Sequence, residues 1–296
     1  AETSSIQSAR TASAPGSMRV LALSPGSLSQ QLHKLPALAA AADQLQGKLQ
    51  VACDPAHQAV WDLLPAIEKV IPFPFDSIPS LADWTNLLGS VREEDFQICL
   101  NFAEGLPINL MLSMSHIPIR IAKKGFANTA IANPSRGCWS AQQLECYLHP
   151  IGLSLDADAF RVSLPDANLQ KMRDLQPTGE GPLLLLAPNG NENDWPAQEW
   201  LRLPHAIQSK LSNLRSITLP IETPLIRRAA EVACADVVLS SCPITQLLAV
   251  YTGVSLVALG TPADALPNRD NIHCLVSNSA ELNALNQQEV LSTLGF

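Results

Sequence analysis

From Met18 onward, short apolar runs alternate with segments whose apolar residues recur every three or four positions. Residues 18–24 (MRVLALS) predict a strand, and residues 27–45 predict a helix with Leu28, Leu32, Leu35, Leu38 and Ala42 on one face. Further strands are predicted over 49–53, 69–73, 96–102 and 117–122, separated by helical periodicity at 58–67, 81–91 and 107–115. A second series starts at the strand 183–187 and runs through helix 196–211, strand 215–219, helix 224–234, strand 236–240, helix 244–252 and strands 254–259 and 273–276. It ends with a helix at 279–294. Strands alternating with helices predict parallel sheets, because a parallel connection needs a crossover.

The two series imply an α/β chain of two Rossmann-like domains, an N-terminal one over 18–153 and a C-terminal one over 182–296. Between them, residues 154–181 carry Pro165, Pro177 and a cluster of breakers at 179–182, the pattern of a linker. A length of 296 residues agrees with two separate cores. In open parallel sheets ligands bind beyond the C-terminal strand ends. The loops at 25–31, 104–106, 188–195, 240–243 and 260–264 are therefore expected to face one cleft. Residues 1–17, rich in Ser, Ala and Thr, predict a disordered tail without the apolar stretch of a secretory signal. Gly16-Ser17-Met18 reads as an added junction before the natural start, as a natural extension, or as a transit-peptide remnant.

Composition narrows the function. A formal net charge of −8 argues against a nucleic-acid binder, which concentrates Lys and Arg to neutralise phosphates. The longest apolar stretch, 183–188, is far short of the roughly 20 residues of a membrane span. The seven cysteines (Cys53, Cys99, Cys138, Cys146, Cys234, Cys242 and Cys274) form no C-x-x-C pair and read as reduced thiols. Together these features predict a cytoplasmic protein, with peripheral membrane attachment left open. Trp195 and Trp200, like Trp84 and Trp139, read as core residues.

Three ordered stretches resemble glycosyltransferase family 9, the ADP-heptose:lipopolysaccharide heptosyltransferases of GT-B fold. MRVLALS-P-GSLSQQLHKLPAL, residues 18–38, is similar to the family's opening strand and its S-S-L-G-D-V-x-H-T-L-P-A-L turn. LLLLAPNGNENDWPAQEW, residues 183–200, is similar to the H-P-G-A loop and K-x-W-P-x-x-x-W. Residues 233–264, with ADVVLSS and VSLVALGTPAD, resemble ADLVVGNDTGPMHLAAALG and VALFGPTDP. Residues 95–120, with the R-I at Arg120-Ile121, look like the family's D-L-V-I-D-L-Q-G and R-I-G-F region. The resemblance covers nearly all of 18–296. It implies a nucleotide diphosphate-sugar donor, with no metal and no other cofactor. It places the acceptor side at Ser27, Ser29, Arg120 and Lys123, and the donor side at Asn189, Gly190, Asn193, Ser240, Ser241, Cys242 and Thr261.

The departures fall on charged positions. The family's catalytic-base Asp aligns with Gln30, and an amide takes no proton from a hydroxyl at neutral pH. The donor-phosphate lysine aligns with Asn193, beside Glu192 and Asp194, and D-T-G-P-x-H becomes Cys242-Pro-Ile-Thr-Gln-Leu247. Glu104 or Asp264 could supply a base, against a reading of each as a solvated carboxylate or helix cap. His33 reads as a packing residue, Lys123-Lys124 as an anion contact or a solvated loop, and Cys242 as a structural thiol rather than a nucleophile. The expectation is a heptosyltransferase-like protein with weak or no sugar transfer. The alternative is a non-catalytic binding or scaffold subunit of a protein complex.

Overall fold

The apolar run at the start of the first series becomes β1 (Arg19–Leu23), in which Val20 to Leu23 are completely buried. A strand inaccessible on both faces is what a central position in a helix-covered parallel sheet requires. The computed structural model describes residues 18–277 and 281–296, so the tail expected at 1–17 lies outside the described residues. Around β1 stand β2 (Lys48–Cys53), β3 (Ile67–Pro72), β4 (Ile98–Asn101), β5 (Ile119–Ala122) and β6 (Ala130–Ile131). They form one parallel sheet in the order β3-β2-β1-β4-β5-β6. The two-residue β6 was too short to leave a pattern in the sequence.

The second series forms its own parallel sheet from β7 (Leu183–Ala187), β8 (Arg215–Thr218), β9 (Val237–Ser240), β10 (Ser255–Leu259) and β11 (Ile272–Leu275), in the order β11-β10-β9-β7-β8. All five residues of β7 are buried. The chain divides into two compact units between Phe160 and Arg161. Within the segment 154–181, expected as a linker, a helix forms at Asp166–Leu175 and packs against the helix Leu225–Ala233 of the second unit.

Each unit has its own core. In the first, Leu21, Phe73, Leu87, Phe96 and Met111 pack together, with Phe73 edge-on to Trp84 at 4.8 Å. In the second, Leu184, Leu186, Leu239 and Leu259 surround Trp195 and Trp200. Trp139 is also buried, so all four of these tryptophans serve packing, as expected. All seven cysteines are free thiols. Among the described residues no helix is long and apolar enough to cross a membrane.

Three helices depart from the expected pattern, each for a local reason. The helix expected over 27–45 is two, Leu28–His33 and Leu35–Leu45. Pro36 has no N–H and its ring crowds the carbonyl four residues back, so the helix breaks just before it. The helix expected over 58–67 is a 3₁₀ helix, Pro55–Leu63. Leu64 precedes Pro65 and is extended (φ −125°, ψ 101°), the conformation a following proline imposes. The last helix starts only at Gln287, where the Asn286 side chain accepts the Gln288 N–H at 2.9 Å. Of its expected span, Ser279 and Ala280 lie outside the described residues.

Candidate functional site

In both sheets the strand order reverses once, between β1 and β4 and between β7 and β9. The loops leaving those strands part there and open a crevice. Each unit therefore has one favoured ligand position, and the residues singled out from the sequence concentrate around both.

In the first unit β1 runs into Ser24, Pro25 and Gly26. Gly26 has φ +103°, and a Cβ on it would lie 2.1 Å from the Gln30 side-chain oxygen, so only glycine fits this turn. Ser27 then caps the helix Leu28–His33. Its backbone N–H donates to Gln30 Oε1 at 2.8 Å, while its hydroxyl accepts the Gln30 N–H at 3.4 Å. This reciprocal pair is a capping box. Gln30, at the position of the family's base, is thus committed through its oxygen to the helix terminus.

Two residues not singled out from the sequence organise the turn. Gln31 is fully buried, and its Nε2 faces the carbonyls of Ser24, Pro25 and Gly26 at 3.0, 3.1 and 3.2 Å. Ser24 donates its hydroxyl to Gln31 Oε1. Lys34, at the junction of the two helices, is only 7% exposed. Its Nζ donates to Ser24 Oγ at 2.7 Å and to the Pro25 carbonyl at 2.9 Å, and lies 5.1 Å from the centre of the Phe102 ring. Burial outweighs these favourable contacts and pulls the ammonium down to about 7, against an opposing pull from Cys53 and Asp76.

Lys34 forms part of the wall of a cavity of about 430 Å³, together with Pro25, Gln30, Asp76, Phe102 and Lys123. Tyr147 lies against Phe102 with ring centres 4.3 Å apart and completes an aromatic side. His33 also borders the space, and burial lowers its pKa. Of the residues expected on the acceptor side, Lys123 is here and Arg120 is used elsewhere. Arg120 donates to the carbonyls of Ala127 and Ile117 at 2.5 Å each, which ties the turn after β5. The Ser27 and Ser29 hydroxyls lie 3.2 Å apart on the exposed helix start. Glu104 is exposed and pairs with Lys124 at 3.2 Å.

In the second unit the loops after β7 and β9 are laced to one another. Ser241 Oγ accepts the Asn189 N–H at 2.9 Å and donates to Asp194 Oδ1 at 2.6 Å. The Gly190 N–H donates to Asp194 Oδ2 at 2.8 Å, and the Trp195 N–H to Oδ1 at 2.7 Å. One carboxylate thus holds two backbone N–H groups and a hydroxyl, a donor set suited to any anion. Ser240 is buried; its hydroxyl donates to the Ala187 carbonyl at 2.8 Å and accepts the Cys242 N–H at 2.9 Å. Cys242 caps the helix Pro243–Thr252 through its backbone and makes no side-chain cap bond. Thr261 donates to Gln246 Oε1 at 2.6 Å, and Gln246 Nε2 donates to the Ser240 carbonyl at 2.8 Å. Asn193 is exposed and donates its N–H to Asn191 Oδ1 at 3.1 Å. Asp264 is exposed in a 3₁₀ turn, Ala263–Ala265.

Among the described residues no group of three or more His, Cys, Asp or Glu side chains could hold a metal ion. No protein-family model and no curated protein matches the chain by sequence. Solved structures do match by shape. A glycosyltransferase of family 9 from Veillonella parvula superposes with a TM-score of 0.73 at 13% identity, covering 94% of this chain and 96% of that one. ADP-heptose lps heptosyltransferase II of E. coli gives 0.69 at 13% identity, over 94% and 97% of the two chains. The E. coli heptosyltransferase WaaC, solved with ADP, gives 0.69 at 16% identity, over 94% and 99%. The chain thus has the fold of these heptosyltransferases along nearly its whole length.

Proposed function

We propose that this chain, which shares its fold with the heptosyltransferases, is a diverged heptosyltransferase-like protein with weak nucleotide binding and little or no sugar transfer. One observation carries the reading: the Asp194 carboxylate accepts from Gly190 N–H and Ser241 Oγ–H, the donors an incoming phosphate would need. A phosphate there meets both a filled donor set and a fixed negative charge. Gln30 adds to this on the other unit, since sugar transfer needs a group that accepts the acceptor's hydroxyl proton and an amide does not.

The test is calorimetric titration of ADP and ADP-heptose into wild type and Asp194→Asn. The wild type is expected to bind in the millimolar range. Asp194→Asn, which removes the charge and keeps the shape, is expected to bind about tenfold more tightly, a gain near 1.4 kcal/mol. Micromolar binding by the wild type, or no gain in the variant, would sink the reading. No binding of either ligand at millimolar concentration would instead favour a non-catalytic scaffold role, for which Ile78 and Leu81, 96% and 83% exposed around the start of the helix Leu81–Glu93, offer an apolar contact.

A further inference from the structure

We propose that the cavity of the first unit is a carbonyl-binding site, in which Lys34 Nζ condenses with an aldehyde or ketone of a small molecule bearing an anionic end. The inference does not depend on sugar transfer or on the second unit.

A buried lysine is usually held charged by a carboxylate. Lys34 instead has two neutral oxygen acceptors, Ser24 Oγ at 2.7 Å and the Pro25 carbonyl at 2.9 Å. That count suits a neutral amine, which has two N–H bonds to donate and one lone pair left over. Ser24 cannot reverse the first bond, because its own proton goes to Gln31 Oε1. Gln31 is in turn anchored by the carbonyls of Ser24, Pro25 and Gly26. The amine is thereby positioned by buried groups rather than free to swing into solvent, and burial that disfavours the ammonium is what makes a lysine nucleophilic near neutral pH.

The surroundings define the ligand class. Phe102 and Tyr147 provide an apolar, stacking side. Lys123, exposed at the edge, offers a positive charge to a phosphate or carboxylate. A volume of about 430 Å³ falls in the range of small-molecule sites. In the reaction the Nζ lone pair attacks the carbonyl carbon, forming a C–N bond while the carbonyl oxygen takes up a proton. The resulting carbinolamine loses water, which carries away the oxygen and both amine protons, and an imine remains. No oxidant or reductant is required.

The experiment uses the full chain and pyridoxal phosphate, an aromatic aldehyde with a phosphate, at pH 7.5. Borohydride reduces any imine to a stable amine, and peptide mass spectrometry gives the modified fraction at each lysine. Lys34 is expected to be labelled at least about ten times faster than exposed Lys171, with the advantage shrinking as the pH rises to 10 and ordinary lysines lose their protons. Labelling of Lys34 no faster than Lys171 overturns the proposal, as does labelling confined to exposed lysines. Because the comparison is made inside the wild type, it does not rely on a variant that folds. Lys123→Ala should slow the reaction with pyridoxal phosphate severalfold more than that with butanal. Equal rates for both aldehydes in the variant and wild type would remove the anionic end from the ligand class.

Discussion

Lys34→Met is expected to remove a rise in stability with pH that the wild type shows above neutrality. Burial lowers Lys34 to about 7 in the folded chain, whereas an unfolded lysine titrates near 10.4. Between those values the unfolded state binds more protons, so the wild type gains stability as pH rises, and below 7 it bears the full cost of a buried charge. Methionine fills a similar volume without that charge. Relative to Lys34→Met, the wild type should therefore gain about 2 kcal/mol between pH 7 and pH 9. The other groups around the amine do not imitate this. Cys53 is pushed up to about 11 and Tyr147 is also raised, so both stay protonated through the window, while His33 is lowered and stays neutral. Asp76 and Lys123 border the same cavity and are common to both proteins. Urea denaturation at a series of pH values checks the prediction, and parallel curves for the two proteins would show that Lys34 stays charged.

The second large effect is on stability alone. Trp195→Ala should cost roughly 3–5 kcal/mol, the range for truncating a fully buried large side chain. Trp195 is 1% exposed, meets Trp200 edge-on with ring centres 5.3 Å apart, and donates its indole N–H to the Leu285 carbonyl at 3.1 Å. The alanine variant leaves a cavity between the sheet and the C-terminal segment and an unpaired carbonyl within it. Trp195→Phe keeps most of the volume and loses the hydrogen bond, so about 1 kcal/mol is expected there. The denaturant midpoint of the second unit reports both, and a loss under 1 kcal/mol for the alanine variant would contradict this packing.

The strands were the most legible part of the sequence. Buried parallel strands read as unbroken apolar runs, and residues 183–187 were bounded as β7 is. Helix limits were harder to read where one proline decided them, as at Pro36 and Pro65. The candidate site was legible only by position. Gln30, Asn189, Gly190 and Ser241 follow the strands at the switch points and Lys123 follows β5, but what each one touches depends on contacts distant in sequence. Asp194 read as part of a negative patch, although its carboxylate is spent on Ser241, 47 residues away. The burial of Lys34 is not legible in the sequence, because a lysine amid leucines on a helix usually points to water. Only the break before Pro36 and the turn at Ser24–Pro25 bury it, and no periodicity encodes that pair.

A second helix of the chain bears on Gln30. At the start of Leu81–Glu93, Ser80 and Asp83 form the same reciprocal arrangement, with the Ser80 N–H donating to Asp83 Oδ2 at 2.7 Å. An aspartate at the third helical position therefore closes such a box as well as the glutamine does at 2.8 Å. As fasteners of a helix end the two side chains are interchangeable; as proton acceptors they are not. Folding has no stake in which of them occupies position 30, so that position can gain or lose a base without the scaffold registering the exchange.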